Sequence, residues 1–329
     1  MIPSPTAHAV IAILRPPSHR SSDAARMFFK NLAVYRLPAD WSMSPVDLEE
    51  KLITRRLKPC GPFEMSSRGF LKVTNDERLV YTVGRQQLIA LGVEQKLLPT
   101  SIIRQVAQEK ADKQAAEQGF PVGRKQLRDI RFQVSEELRA RALSRRRITR
   151  AWIDPENGWF VVDAAGGNRA EEMLETLRDA LGSFAVVPLD PERSPQASMI
   201  AWLTAGGAPS PFNIDDDIEL KGVVKSRAVV RYAHHPVDDR VLDDALKSGL
   251  APTRLGLTWS SRVSFVMTDK LQLKRVQFLE LDKDLPDDGS EANSAEQFDI
   301  DFTVMAGELS ALLADLATVL KAALRTDVT

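Results

Sequence analysis

The sequence predicts an α+β protein of more than one domain, with mixed or antiparallel sheets and a pair of basic helices standing off them. Three observations lead there. Apolar residues recur at period two in short runs, and these alternate with stretches of helical period. At 329 residues the chain exceeds a single average core, and its 43% hydrophobic and 27% charged content is ordinary for a folded globular protein. Charge is also sorted: residues 99–150 hold thirteen basic and six acidic side chains, a net +7 inside a chain whose total is −1. The remainder therefore sums to about −8, so one surface can attract a polyanion while the rest keeps the chain soluble.

Residues 1–26 are rich in Pro, Ser and His and are expected to be disordered, with the folded pattern beginning at Met27. Ala9 to Leu14 is apolar, but no basic segment precedes it and Arg15-Pro16-Pro17 follows, a poor match to a secretory signal. Phe29 to Arg36 reads as a strand. Asp47 to Leu57 reads as an amphipathic helix behind Ser44 and Pro45, suitable cap and first-turn residues. Pro59-Cys60-Gly61-Pro62 is a turn, Arg78 to Arg85 alternates as a strand, and Gln87 to Val93 continues the sheet.

Pro99-Thr100-Ser101 opens a helix carrying Ile102, Ile103, Val106 and Lys110, which Gly119-Phe120-Pro121 breaks. A second helix has Leu127, Ile130, Val134 and Leu138 as its apolar stripe, with Arg124, Arg128, Arg131 and Arg139 beside it. Leu143 and the Arg145-Arg146-Arg147 run are expected to end this helix, where cations suit the dipole. Arg104, Lys113 and Lys125 complete the basic set considered for binding. Ile148 to Asp163 reads as a hairpin turning at Pro155-Glu156-Asn157-Gly158, Asn168 to Leu181 as a helix, and Val186-Val187-Pro188 as a strand. The expected division is an α+β body of residues 27–98 with 151–205, a basic helical tip at 99–150, and a C-terminal α+β part at 206–329.

In that last part, Leu220 to Tyr232 places Lys221, Lys225, Arg227 and Arg231 at odd positions and mostly apolar residues at even ones. One strand, or two collinear ones, would have a basic face and a packing face. Val263 to Met267, a turn at Asp269-Lys270, and Leu271 to Leu281 with Lys274 and Arg275 form a further hairpin. Glu280 to Asp301 is an acidic linker, and Glu308 to Leu324 a terminal helix rich in Ala and Leu.

Several chemistries are excluded or weakened. Cys60 is the only cysteine, which rules out an intrachain disulfide and fits a reducing cytoplasm, and His8, His19, His234 and His235 lack zinc-ligand spacing. There is no Walker A, dinucleotide-binding or nucleophile-elbow motif. Gly166-Gly167 before a helix could hold a phosphate, but a simple strand-to-helix turn needs the same glycines. The run Asp215-Asp216-Asp217 and the pair Asp299 and Asp301 offer an alternative, a metal-dependent nuclease. Such runs more often cap helices or solvate loops. No metal and no cofactor are expected. Aromatic residues, 6% of the chain, are not interleaved with the cations, which argues for duplex phosphates over a base-stacking platform. A helical pair that docks on an acidic protein is the other reading of the same charge.

Particular residues then resemble a known family. Phe29-Lys30-Asn31-Leu32-Ala33-Val34-Tyr35-Arg36-Leu37, Pro59-Cys60-Gly61, Leu97-Leu98-Pro99, Trp152-Ile153-Asp154, Val186-Val187-Pro188-Leu189, Trp202, Phe265-Val266-Met267, Leu273-Lys274-Arg275 and Met305-Ala306-Gly307-Glu308-Leu309 are similar, in order, to segments of the bacterial recombination-associated RdgC family. The resemblance implies a horseshoe-shaped subunit with a projecting helical tip, closing into a ring-shaped homodimer around double-stranded DNA. It also implies binding with little sequence preference, no catalytic step, restraint of RecA-driven strand exchange, and a place in the cytoplasm on the nucleoid, not at a membrane. Leu143 would lie near the tip interface, where relatives can carry an aromatic residue. Ala233, His234 and His235 stand where relatives can carry Lys, Lys and Gln, leaving more of the phosphate contact to Lys225, Arg227 and Arg231.

Overall fold

The computed structural model describes residues 28–74, 76–222, 228–233, 239–279 and 294–322. The expected disorder of 1–26, together with Lys225, Arg227, His234 and His235, lies outside them.

Strand β1 (Asn31–Arg36) opens the fold as its pattern predicts. Helix α1 (Pro45–Ile53) starts at Ser44, whose Oγ accepts the Asp47 N–H at 3.1 Å, with Pro45 pre-set in the first turn. β2 (Ser66–Leu71), β3 (Val80–Val83) and β4 (Gln86–Lys96) follow, then the helical pair α2 (Thr100–Gln118) and α3 (Arg124–Arg141). β5 (Ser144–Asp154) and β6 (Trp159–Asp163) form the expected hairpin, which begins four residues earlier than its apolar part suggests. α4 (Gly167–Leu181), β7 (Val187–Pro188) and α5 (Pro195–Thr204) complete the first part. β8 (Phe212–Gly222), β9 (Val229–Tyr232), α6 (Asp239–Lys247), β10 (Leu250–Trp259), β11 (Val263–Thr268), β12 (Leu273–Phe278) and α7 (Ser294–Val319) complete the second.

The twelve strands among the described residues belong to one sheet, in the order β2-β4-β5-β6-β1-β12-β11-β10-β8-β9, with β3 paired to β4 and β7 to β1. Every pairing between named strands is antiparallel. β1 is the join: it pairs with β6 on one side and, through Asn31–Lys274 and Leu32–Leu273, with β12 on the other. Parity explains the layers. Ala33, Ala151, Ile153, Phe160 and Val162 face α1 and α4 in one core, whereas Leu32, Val34, Trp152 and Val161 face the opposite side in a core that includes α5, α6 and α7. β1, β5 and β6 are thus covered on both faces, and their apolar runs are nearly unbroken for that reason.

α7 spans the join. Ser310 Oγ donates to Asp154 Oδ2 at 3.1 Å, Trp259 Nε1 donates to Asp315 Oδ2 at 2.8 Å, and Phe29 N–H donates to Met305 Sδ at 3.3 Å. Its length and composition would suit a membrane crossing, but Phe302, Leu309, Leu313 and Leu316 are fully buried against the sheet, as in a core helix.

Four expectations need correction. Arg145-Arg146-Arg147 does not end a helix: α3 stops at Arg141, and the run lies in β5 opposite Gln95, Glu94 and Val93. β8 and β9 are a hairpin, not one line of strand, and only the packing side of the parity holds. Ile218, Leu220, Val230 and Tyr232 turn inward, but the other face alternates in sign because Asp217 and Glu219 share it with Lys221 and Arg231. Asp215-Asp216-Asp217 sits in β8, neither capping a helix nor solvating a loop. The terminal helix begins at Ser294, so Asp299 and Asp301 belong to it and not to a linker.

Candidate nucleic-acid interface

The helical pair is joined by small residues. Ala107 and Ala111 of α2 meet Ile130 and Val134 of α3 in a core separate from the two main ones, with Ile103, Val106, Val122, Leu127 and Leu138 around it. α2 ends at Gly119, whose φ of 78° is a conformation that only glycine adopts without strain, and its N–H bonds to Ala115 O. The Gly123 N–H donates to Gln126 Oε1 at 3.1 Å and starts α3.

A polar knot fixes the pair to the sheet. Lys96, at the end of β4, is only 7% exposed, and its ammonium donates to Gly61 O at 2.7 Å, Pro62 O at 3.0 Å and Arg139 O at 2.9 Å. The last of these is a carbonyl of the α3 C-terminus, which also accepts the Ala142 N–H, and a cation is favoured at that end of a helix. Beside it, Glu94 accepts from Arg146 at 3.0 Å, Ser144 at 3.1 Å and the Cys60 N–H at 3.3 Å. The Arg146 bond, and after it the Cys60 N–H, hold the Glu94 carboxyl below the usual carboxylate range against an opposing effect of burial.

Helical phase sorts the cations. Lys110 pairs with Glu137 at 2.6 Å and marks one edge of the antiparallel pair. Lys113 lies on that edge. Arg104, nine positions from it and so half a turn out of phase, lies on the other edge with Arg124, Arg128 and Arg131, which recur at i, i+4 and i+7. Arg128 only approaches Asp129, at 4.0 Å with both side chains well exposed, and Lys125 points outward from α3. Among the described residues Arg104, Lys113, Arg124, Lys125, Arg131, Arg145, Arg231 and Lys274 have no carboxylate within ion-pairing distance. Arg146 and Arg147, by contrast, are paired with Glu94 at 3.0 Å and Glu172 at 2.8 Å.

The second candidate surface is the uncovered face of β8, β10, β11 and β12. Here Lys221 and Arg254 converge on Glu219 at 2.9 and 3.8 Å, Arg275 pairs with Asp217 at 2.8 Å, and Arg231 stands opposite Glu219 in register. Burial pushes the Glu219 carboxyl up, but bonds from Lys221 and Thr253 outweigh it and leave the group below its ordinary range. Lys274 is half-buried at the β1–β12 join. The structure therefore gathers Arg104, Arg124, Arg128 and Arg131 on one edge, pairs Arg146, Arg147 and Lys221 with acids, and leaves Lys113, Lys125, Arg145, Arg231 and Lys274 outside that edge.

Leu143 is 79% exposed in the link between α3 and β5, at the root of the helical pair, while Phe120 occupies the distal turn. The Leu143 carbonyl accepts the Leu97 N–H at 2.7 Å, and Leu97, Phe63 and Met65 are exposed around the same backbone network. Sequence reasoning did not single out Lys96, Glu94 or Arg254, whose roles depend on partners distant in the chain. Nor did it foresee that Phe120 and Phe132 would be exposed among cations, although the Arg128, Arg131, Phe132 spacing on a helix was a readable signal.

Three carboxylates of the acidic clusters are engaged within the fold. Asp215 accepts from Thr258 at 2.8 Å, and burial raises its carboxyl above the ordinary range. Asp217 is engaged by Arg275, and Asp301 accepts from Gln297 at 2.7 Å. Two positions apart on α7, Asp299 and Asp301 point in different directions. No group of three metal-ligating side chains occurs among the described residues.

Fold and site together define an α+β protein on one antiparallel sheet, whose appended helical pair offers an exposed cationic edge. A family profile described as "Putative exonuclease, RdgC" matches residues 27–323. The chain belongs to the RdgC family. It is 44% identical over 297 residues to "Recombination-associated protein RdgC" of Dechloromonas aromatica, covering 89% of this chain and 97% of the relative. It is 43% identical to the protein of that name from Cupriavidus necator, covering 89% and 98%, and 40% identical to that of Burkholderia ambifaria, covering 89% and 96%. The family description names an exonuclease, whereas the relatives' names specify recombination and no catalysis.

Proposed function

We propose that this protein holds double-stranded DNA through backbone phosphates as a ring-forming homodimer, without sequence preference and without cleaving it. The observation that carries the reading is the edge of Arg104, Arg124, Arg128 and Arg131, of which only Arg128 has a carboxylate within reach, the exposed Asp129 at 4.0 Å. Cations of this kind displace condensed counterions, so affinity falls with salt by about −0.9 in log–log slope for each phosphate contacted. A cationic edge without hydrogen-bonding side chains arranged for base edges gives position on the duplex but little sequence information.

The exposed apolar group of Leu143, Leu97, Phe63 and Met65 supports a self-contact that closes the ring at the root of the helical tip. Lys221, Arg231 and Lys274, together with Lys225 and Arg227, would extend the phosphate contact. The horseshoe outline, and the division into body, helical tip and C-terminal part, belong to the same reading. A closed ring would obstruct RecA-driven strand exchange without chemistry, and such a protein would work on the nucleoid in the cytoplasm. The relatives' association with recombination agrees with it.

The test incubates the protein with supercoiled plasmid and Mg²⁺ over a salt series, with light scattering of the protein alone and with a short duplex. Retardation without nicking, a steep salt slope and a dimer mass are expected. Nicked plasmid, or a monomer with binding insensitive to salt, would reject it.

A further inference from the structure

All four described tryptophans other than Trp41 are buried, and every described tyrosine is at least half-buried. The exposed aromatic rings among the described residues are Phe63, Phe120 and Phe132, and two of these three belong to the helical pair. Phe132 is 67% exposed on α3, outside the small core of the pair. Its neighbours on the helix surface are Lys125, Arg128, Asp129, Ser135, Glu136 and Arg139. Glu136 is occupied by Arg139 at 2.9 Å and Asp129 lies 4.0 Å from the exposed Arg128, so Lys125 is the cation beside the ring without an ion pair and Arg128 one with only a long, solvated contact.

Phe120 is 59% exposed in the distal turn, between Gly119 and Pro121, with Arg124 and Lys125 as the first residues of α3. That turn is held in shape: Gln118 Nε2 donates to Phe120 O at 2.9 Å, and Gly119 N–H to Ala115 O at 2.9 Å.

From this geometry we infer that Phe120 and Phe132 are base-stacking contacts, each ring taking an unstacked base of single-stranded DNA while the adjoining cations take its phosphates. The inference rests on the DNA-binding reading and adds to it a ligand element that the cationic edge alone does not recognise. The surroundings of the rings favour a base over a protein partner. An apolar protein interface needs contiguous apolar surface, as at Leu143, Leu97 and Phe63, whereas Phe132 has only polar and charged neighbours. A ring bordered by cations matches a nucleotide, which presents a π-face and an anion together. Because the Phe120 turn is already ordered, little conformational freedom is lost on contact.

The test compares three probes at fixed salt: a short oligothymidylate, an abasic strand of equal length, and a duplex. The wild-type protein should bind the thymidylate about a hundredfold more tightly than the abasic strand, and Phe120→Leu and Phe132→Leu should each remove about tenfold of that preference. Duplex affinity should stay within about twofold in both variants, because neither substitution removes a cation. Equal wild-type affinity for thymidylate and abasic strand, with duplex still bound, would overturn the stacking assignment alone. Retention of the full base preference in both leucine variants would overturn it too, as would a changed dimer mass with the preference intact. If none of the three probes is retained, the DNA-binding reading fails and this inference with it. The leucine variants keep an apolar side chain at exposed positions, so folding is preserved, and the wild-type comparison requires no variant.

Discussion

Lys96→Met should loosen the helical pair from the sheet. The substitution keeps the aliphatic stem but removes three charge-assisted donors from Gly61 O, Pro62 O and Arg139 O at 2.7–3.0 Å. Hydrogen bonds to a charged group are each worth about 1.5–3 kcal/mol, but Gly61 O keeps the Glu64 N–H and Arg139 O the Ala142 N–H, which softens the loss at those two carbonyls. The three contacts share one ammonium and are not additive, which places the total at about 3 kcal/mol. The pair has its own small core, so this energy is lost first at the root, as a sub-global opening. Amide exchange reads it directly: the Leu97 N–H, bonded to Leu143 O, and the Ala142 N–H, bonded to Arg139 O, should exchange about a hundredfold faster. Strands β1 and β6 should keep their protection. Exchange at Leu97 and Ala142 equal to wild type would refute the idea that this ammonium pins the joint.

Further expectations concern charge, backbone space and pH. Replacing Arg124, Arg128 and Arg131 together by Ser should reduce the log–log salt slope for duplex binding by up to about 2.7, the sum for three phosphates; an unchanged slope means that this edge does not touch DNA. Gly69→Ala should destabilise the fold severely, because an added Cβ would lie 2.5 Å from Arg55 O and Leu57 N, both backbone atoms that cannot turn aside; a melting temperature equal to wild type would contradict that packing. Glu94 has its carboxyl held low by Arg146, so its contribution is present above the ordinary carboxylate range and is lost as pH falls through the depressed value. The Cys60 N–H should therefore lose exchange protection only in acid below that range, and Glu94→Gln should abolish the dependence. Burial raises Asp163, giving it the opposite sign: the folded state takes up a proton more readily there, so its own contribution to stability grows as pH falls toward the raised value. Asp299→Asn with Asp301→Asn should leave plasmid retardation unchanged, and lost binding or altered nicking would revive a metal site there.

Elements with clear punctuation were legible in the chain. Ser44-Pro45 marked α1, Gly119-Phe120-Pro121 separated α2 from α3, and Pro155 to Gly158 marked the turn of β5–β6. The segments that escaped notice had no such contrast. β2 is SSRGFL, with Gly69 and Phe70 as its buried residues, and its strand character comes from lying against β4. β10 carries Pro252 and two register shifts against β8, which blur its alternation. α5 is apolar around most of its circumference, with Ala197 and Ile200 exposed opposite its buried face, so helical periodicity is weak. The Arg145-Arg146-Arg147 run misled for a related reason. Local charge suggested a helix end, but pairing with β4 and ion pairs to Glu94 and Glu172 decided its state. The cations of the site could be read from sequence, but which of them are neutralised could not, because that depends on acids far away in the chain.

This changes what the charge contrast means. Between Thr100 and Arg141 the helical pair has nine basic and six acidic side chains, a net +3, and the other four charges of the excess in residues 99–150 are Arg145, Arg146, Arg147 and Arg150 on β5. Two of those four are committed to Glu94 and Glu172, acids that no local count of the segment includes. Net charge by segment therefore overstates the sheet and understates the helices, where phase collects Arg104, Arg124, Arg128 and Arg131 on one edge and leaves Lys110 with Glu137 on the other. A field that acts on a polyanion depends on such local imbalance at the surface, because paired charges cancel within a Debye length of about 8–10 Å. The exposed arginine edge of the helical pair, more than the triple-arginine run, is where this fold concentrates uncompensated charge.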